Sequence, residues 1–497
     1  MATLHLAFDL GASSGRAIGG KLEGGRLSVE ELHRFEHHPS PTPQGPVWDL
    51  TGLWLNILEG LRKGAEWSRQ TQLPLTSVGV DTWGVDWCLI GESGELLGLP
   101  HCYRDPANNA ACQDVLARVG GARNLYSRNG IQLLPFNSLF QLAARYAAEP
   151  KMFAAAERLL FLPDLFHYWL SGNAVVESTI ASTSALLKLD GQSWDRELLE
   201  SLGIPHHFLG KIVPPGTEVG KLRLELAERC QLSPEVRVVS PGSHDTAAAV
   251  AAVPHLGEMP NWAYLSSGTW SLLGAELDAP LVSDASFATP FTNELGVGGK
   301  VRFLKNIAGL WLVQELKRDF ESRGKMYDFS HFVELAREAE PFRTLVNPNL
   351  PLFATPGQMI GKIQQVAKET GQPVPESAGE LVRCCLESLA LLYRETLDRL
   401  EAVLGHSLEK LYIVGGGVQN QLLNELTVAA VERPVVCGPS EATAIGNLLV
   451  QALGCGAIGS LRELREVVAN SIEIREYCPS LLAPIELGVF ERFRQML

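Results

Sequence analysis

At 497 residues with 46% hydrophobic side chains, the chain is about three times the length of an ordinary domain, which predicts two domains with proper cores. A formal charge of −14 and the lack of any Lys/Arg cluster argue against a polyanion-binding face, so no nucleic-acid partner is expected. No apolar stretch reaches the roughly 18 residues of a bilayer span, and Asp9 and Arg16 interrupt the early apolar run, so the chain reads as cytoplasmic with no membrane partner. The nine cysteines are an odd set without C-x-x-C spacing, a pattern of reduced thiols rather than a disulfide framework or zinc site, with Cys384 and Cys385 expected on a helix face.

In chain order, Leu4 to Phe8, Arg16 to Leu22 and Arg26 to Phe35 are short apolar runs separated by Gly-rich turns, which predicts a meander of antiparallel strands. After the Pro/His/Gln segment from His37 to Pro46, Thr51 reads as the N-cap of a helix whose face is Trp54, Ile57, Leu58 and Leu61. A buried strand follows at Val78 to Val80 and ends at Asp81. Three strands, a helix and a strand are the opening of an actin-like, ribonuclease-H-like half-domain, an analogy of topology. A second opening of that kind starts near Ala263, followed by an amphipathic helix through Leu386, Leu389, Tyr393, Leu397 and Leu400, a strand at Leu411 to Val414, the turn Gly415-Gly416-Gly417 and a helix from about Gln419. The expected division is 1–250, 251–455 and a mixed, charged extension at 456–497 that packs on the domains.

Both openings carry a small-residue turn: Asp9-Leu10-Gly11-Ala12-Ser13-Ser14-Gly15-Arg16, and Leu265-Ser266-Ser267-Gly268-Thr269-Trp270. Such turns present backbone N–H groups and hydroxyls without bulky side chains, so they suit a polyphosphate, although either could be a plain structural turn. Asp9, a carboxylate at a strand end beside the first turn, suits the Mg²⁺ that accompanies ATP, through water. The first turn also matches the G-x-S-x-G nucleophile elbow, but the two glycines of Arg16-Ala17-Ile18-Gly19-Gly20 make a poor helix where an elbow needs one. Ser243-His244-Asp245-Thr246 sits at a strand-to-helix turn, where Asp245 could act on a substrate or simply cap the helix. Asp81-Thr82-Trp83-Gly84-Val85-Asp86-Trp87 has the mixture of aromatic faces, carboxylates and a glycine that a sugar site needs, or is a twisted hairpin with surface acids. On these grounds alone Asp245, Asp81 and Asp86 are equal candidates for a base.

Through most of its length the chain resembles the FGGY-type carbohydrate kinases. The resemblance rests on Phe8 to Arg16, Asp81 to Asp86, Tyr103-Arg104-Asp105, Gly130-Ile131-Gln132, Leu134-Pro135-Phe136-Asn137, Leu162-Pro163-Asp164, Ser243 to Thr246, Leu265 to Ser271, Leu304 to Ile307, Gly309 to Trp311, Val414 to Gly417 and Gln419-Asn420. It implies two actin-like α/β domains with a nucleotide and sugar cleft between them. It further implies contacts to ATP from Ala12, Ser13, Ser14, Gly15, Arg16, Thr269, Gln314 and Gly416, and a sugar site of Gly84, His244, Asp245, Thr246 and Asn306, with Asp245 as catalytic base. The implied activity is phosphorylation of L-rhamnulose by ATP with Mg²⁺, the sugar and ATP being the only partners and monomer or dimer left open. Asn137-Ser138-Leu139-Phe140-Gln141 stands where the wider family often has Lys-apolar-x-Trp, and the glycerol-type Arg-Glu clamp is absent from 81–87, which disfavours glycerol, xylulose and gluconate. Another deoxyketose such as L-fuculose is the near alternative. A nucleotide-switched regulator of actin or chaperone type is the distant one, and it would need neither the 81–86 segment nor the His-Asp-Thr turn.

Overall fold

Strand β1 (Thr3–Leu10) is buried along all but its first residue, because a sheet covered on both faces calls for a continuous apolar run. The computed structural model describes residues 2–257, 261–481 and 484–497. β2 (Ser14–Glu23) pairs antiparallel with β1 and β3 (Arg26–Glu36) with β2, so the expected meander is present. Helix α1 (Leu50–Thr71) starts two residues earlier than Thr51 would place it: Asp49 is the cap, its carboxylate accepting Gly52 N–H at 2.9 Å while Thr51 Oγ1 donates to the same oxygen at 2.7 Å. The earlier start buries Leu50 and Leu53 as well.

β4 (Leu75–Thr82) then runs parallel to β1, with Asp81 opposite Asp9. β5 (Thr217–Lys221) pairs antiparallel with β6 (Arg237–Ser240), which is parallel to β4, and the sheet order is β5-β6-β4-β1-β2-β3. β6 leads through the Ser243-His244 turn into helix α2 (Asp245–Ala251), whose small side chains are buried after the first residue.

The same opening repeats in β7 (Trp262–Ser267), antiparallel to β8 (Trp270–Leu277), followed by β9 (Val301–Ala308) and helices α3 (Trp311–Ser322) and α4 (Ala378–Leu404). α4 is capped by a reciprocal Ser377/Glu380 pair and is buried nearly all round from Leu381 to Tyr393, so Cys384 and Cys385 are both enclosed and burial lifts the Cys384 thiol to about 12. β10 (Lys410–Val414) is parallel to β7; then come α5 (Gln421–Val431), β11 (Val435–Cys437), helix α6 (Ala442–Gly454) and β12 (Arg475–Tyr477). This sheet starts at the short edge strand Thr292–Leu295 and continues β9-β8-β7-β10-β11-β12. The two openings thus share one plan, a hairpin whose first strand pairs in parallel with a later strand, as the α/β class with two actin-like domains requires.

The chain forms two compact units that interleave rather than follow one another. The first is Met1–Leu256, Leu277–Phe303 and Ala442–Ile472; the second is Gly257–Glu276, Leu304–Glu441 and Glu473–Leu497. The consecutive division expected from the sequence therefore differs from the structure after residue 276, and the reason is polar. α6 returns to the first unit because two amides in its apolar run satisfy buried groups there: Asn447 Nδ2 donates to Asp81 Oδ2 (2.6 Å) and Gln451 Nε2 to Leu6 O (3.0 Å). The 456–497 segment is likewise shared, its helix Leu461–Ser471 lying in the first unit and β12 pairing with β11 in the second. Gly446 of α6 lies flat on α2, where a Cβ would sit 1.8 Å from Ala248 O.

Candidate active site

In the first unit the C-terminal ends of three adjacent parallel strands, β6, β4 and β1, lie side by side, the position at which open α/β sheets take their ligands. Backbone bonds stitch these ends together: Thr82 N–H donates to Ser243 O (2.9 Å) and Trp83 N–H to Leu10 O (3.1 Å). The buried carboxylate of Glu177 accepts Ser243 N–H at 3.0 Å and so fixes the turn before α2. Gly84 comes up against this turn, since a Cβ there would lie 3.3 Å from both His244 Nε2 and Thr183 Oγ1. The next residue, Val85, has φ 72°, a left-handed conformation costly for a β-branched side chain, and it is held by Thr183 Oγ1 on its N–H and by Ser138 Oγ and Gln141 Nε2 on its carbonyl.

Asp245 is the first residue of α2 and not its cap; His244 occupies the cap position with extended backbone and no side-chain capping bond. The two oxygens of Asp245 have different surroundings. Oδ1 accepts Thr246 N–H (2.5 Å) and Thr246 Oγ1 (3.0 Å) and lies 3.3 Å from His244 Nε2, whereas Oδ2 takes none of these contacts. The side chain is 32% exposed. One oxygen is anchored and the other presented, which is what an oriented proton acceptor requires. Gly84, His244, Asp245 and Thr246 are thus brought together.

The first turn is braced from behind. Gly11 N–H donates to Ser14 O (2.9 Å), His37 N–H to Ser13 O (3.2 Å), and His37 Nε2 contacts Gly11 O at 2.7 Å. Ser13 is exposed, Ala12, Ser14 and Arg16 are half-buried, and Gly15 is buried because a Cβ there would meet the Phe35 ring at 2.3 Å. Arg16 Nη2 donates to Asp9 Oδ2 at 2.5 Å. Burial drives the Asp81 carboxyl well above the usual range; the Asp9 charge adds to the rise and the Asn447 bond opposes it. Asp81 Oδ1 is buried without a hydrogen-bond partner among the described residues. An acidic oxygen pair next to a phosphate-sized turn fits a hard cation. Among the described residues no group of three ligating side chains occurs, so such an ion would be held mainly by water and phosphate oxygens.

The 81–87 segment differs from its expected role as an aromatic sugar surface. Trp83 is 6% exposed and Asp86 1%. Asp86 Oδ2 accepts the indole N–H of both Trp48 (2.6 Å) and Trp83 (2.8 Å), and Trp83 stacks on His37 with centroids 5.4 Å apart. Two buried indoles need an acceptor, and Asp86 serves both. The aromatics and the acid are therefore an internal prop behind the Gly11 turn, and within 81–87 only Gly84 is partly exposed.

In the second unit the β7-β8 turn, Gly268-Thr269, is clamped by the start of α3: Leu310 N–H donates to Gly268 O (2.9 Å) and Trp311 N–H to Thr269 O (3.1 Å). Gly309 permits this, because a Cβ there would lie 2.6 to 2.7 Å from backbone atoms of the turn. Thr269 Oγ1 donates to Gln314 Oε1 at 3.2 Å. At the end of the parallel strand β10, Gly415 and Gly417 press on Ser267, where a Cβ at 417 would meet Ser267 Oγ at 1.9 Å, and Gly416 is exposed with open space around it. Thr269, Gln314 and Gly416 therefore gather at the ends of β7 and β10. Asn306 lies half-buried on β9 in this unit and apart in sequence from the other sugar residues, all of which belong to the first.

Sequence reasoning missed Glu294 and Arg302, which flank His244, because nothing in their spacing marks them. It also missed Asn447 and Gln451, where two amides four residues apart in an apolar helix were a readable signal.

Models of the FGGY family of carbohydrate kinases match the chain twice, the N-terminal domain over residues 4–252 and the C-terminal domain over 263–455. A protein named rhamnulokinase from Bacteroides thetaiotaomicron is 41% identical over 477 residues, 96% of either chain. One of the same name from Bacillus subtilis is 37% identical over 476 residues, 96% of this chain and 95% of that one. Among solved structures, gluconate kinase from Lactobacillus acidophilus superposes with a TM-score of 0.78 at 14% identity, covering 100% of this chain and 96% of that one. Plasmodium falciparum glycerol kinase with ADP gives 0.76 at 14% identity over 99% and 96%. These structures share the fold, and the fold, the two family models and the full-length relatives agree: the chain belongs to the FGGY family of carbohydrate kinases.

Proposed function

We propose that this carbohydrate kinase transfers the γ-phosphoryl group of ATP to the primary hydroxyl of L-rhamnulose, giving L-rhamnulose 1-phosphate and ADP. The observation that carries the substrate is the full-length similarity to proteins named rhamnulokinase, at 41% and 37% identity. What carries the chemistry is the divided Asp245 carboxylate. Oδ2 takes the hydroxyl proton as the sugar oxygen bonds to γ-phosphorus and the bond from γ-phosphorus to the ADP oxygen breaks, while Oδ1 stays anchored on Thr246 and beside His244.

Gly84, His244, Thr246 and Asn306 position the sugar. Gly84 leaves room for close approach, and its strained neighbour Val85 is held in place by three hydrogen bonds. Ala12, Ser13, Ser14, Gly15 and Arg16 bind the phosphates, and Thr269, Gln314 and Gly416 bind the nucleotide. Mg²⁺ bound together with ATP would neutralise phosphate charge, and Asp9 would hold it through water. Arg16 spreads the charge that builds on the transferred group, where most catalysis of phosphoryl transfer lies.

The test is ADP release across a panel of L-rhamnulose, L-fuculose, D-xylulose and glycerol. L-rhamnulose should stimulate far above the sugar-free rate. Equal or better activity with any other member of the panel overturns the substrate.

A further inference from the structure

His244 is gripped on the side away from Asp245 by two residues distant in sequence. Its Nδ1 lies 3.0 Å from Arg302 Nη2 and 3.4 Å from Glu294 Oε2, and the guanidinium and that carboxylate oxygen are 3.1 Å apart. Glu294 stands on the short strand Thr292–Leu295 and Arg302 on β9, and the side chains are 7% and 0% exposed. Burial alone would raise the Glu294 carboxyl, but nearby charge, that of Arg302 first, outweighs it and holds the group below the usual range, as an ion.

Arginine has donors only and keeps its charge at any working pH. Its bond to Nδ1 therefore requires a lone pair there, and the ring proton of the neutral imidazole must be on Nε2. Nε2 is the atom that faces Asp245 Oδ1, at 3.3 Å. The direction of donation runs one way along the series: Arg302 gives to His244, and His244 gives to Asp245. With the other tautomer two lone pairs would face each other across that gap, and Oδ1 would keep only its Thr246 contacts.

We propose that Arg302, neutralised by Glu294, is a positioning residue that fixes His244 as its Nε2–H tautomer and thereby holds Asp245 with Oδ2 turned to the sugar hydroxyl. The proposal rests on Asp245 being the base. Arg302 also donates from Nε to Leu295 O (3.0 Å), a bond that braces the fold and has no bearing on the tautomer.

The test separates these roles with Arg302→Gln, Glu294→Gln, Asp245→Asn and the Arg302→Gln/Asp245→Asn pair, reading kcat, sugar KM, ATP affinity and Tm. Arg302→Gln and Glu294→Gln should lower kcat by roughly 10- to 100-fold, in the manner of residues that orient a catalytic group, with ATP affinity unchanged. In the Asp245→Asn background Arg302→Gln should cost no further kcat, because the carboxylate it orients is gone. The same fold-loss in both backgrounds, or an unchanged kcat, overturns the proposal. A fully active Asp245→Asn single variant overturns the base assignment instead, so the two failures are distinguishable. Should Arg302→Gln not fold, histidine ¹⁵N spectra of the unsubstituted protein decide. The resonance pair lost in His244→Gln should show a protonated Nε2 and a bare Nδ1, and the reverse pattern overturns the tautomer.

Discussion

Where β1 of the first unit carries Asp9 opposite Asp81 of the parallel strand β4, the corresponding positions of the second unit, on β7 and β10, are Ser266 and Val414. The turns that follow occupy the same place in their sheets and are both braced from behind. The first is braced by His37 and the buried Trp48/Trp83/Asp86 group, the second by the start of α3. One scaffold has thus been used twice with its charge placed once. Each buried carboxylate needs a cation or donors to offset desolvation, and in the first unit Arg16 and Asn447 supply them. The second unit presents a hydroxyl, an amide and backbone instead, groups that can hydrogen-bond a ligand but cannot take a proton from it.

The difference can be broken most severely at Asp245. Asp245→Asn keeps the side chain's size and its acceptor oxygen for Thr246, but cannot take the sugar's proton, so turnover should fall by roughly 10² to 10⁴ with Tm nearly unchanged. An active Asn variant would remove Asp245 from the mechanism.

Paired substitutions at the matching strand positions sharpen the comparison directly. Asp9→Asn should lower turnover by roughly 10² or more, because it removes the charge that pairs with Arg16 beside the first turn. Its counterpart Ser266→Ala should change turnover by less than about 3-fold, in line with the loss of a hydroxyl away from the transferred group. Similar losses at both positions would mean that the two units share the charge chemistry.

On the second unit's side, Thr269→Val keeps shape and removes the hydroxyl that now meets Gln314. ATP affinity should weaken by about 1.5 to 3 kcal/mol, the value of a hydrogen bond to a charged oxygen, with sugar affinity little altered. Calorimetry giving an unchanged ATP affinity would make the second turn purely structural.

The smallest effect is on stability and comes from the prop behind the first turn. Burial lifts the Asp86 carboxyl from 3.8 to about 7, against the indole bonds. A carboxyl whose folded value is raised contributes stability that is fully present below its unfolded value and lost as pH rises through the folded one. Asp86→Asn removes that loss, so its Tm relative to the parent should improve by a few degrees between pH 4 and pH 8, most of the change falling below about pH 7. A Tm difference independent of pH would show that the Asp86 ionisation does not bear on folding.

Much of this protein is readable from the order of its residues. The two Ser/Gly turns, the meander before α1, the strand ending at Asp81 and the His-Asp-Thr turn are local patterns, set by apolar periodicity and by the backbone preferences of glycine and serine, and the fold class follows from their repetition. Local pattern could not rank Asp245 above Asp81 and Asp86, because the three acids differ only in what surrounds them. Asp86 is taken by two indoles, Asp81 is enclosed beneath α6, and Asp245 alone has one oxygen anchored and one presented. Nor could it place α6 in the first unit or set Arg302 beside His244, since both depend on polar groups in distant segments finding the one buried partner that satisfies them. Hydrophobic pattern is carried along the chain, whereas the environment of a buried charge is made by residues from all over it, and here that environment is what sets the three carboxylates apart.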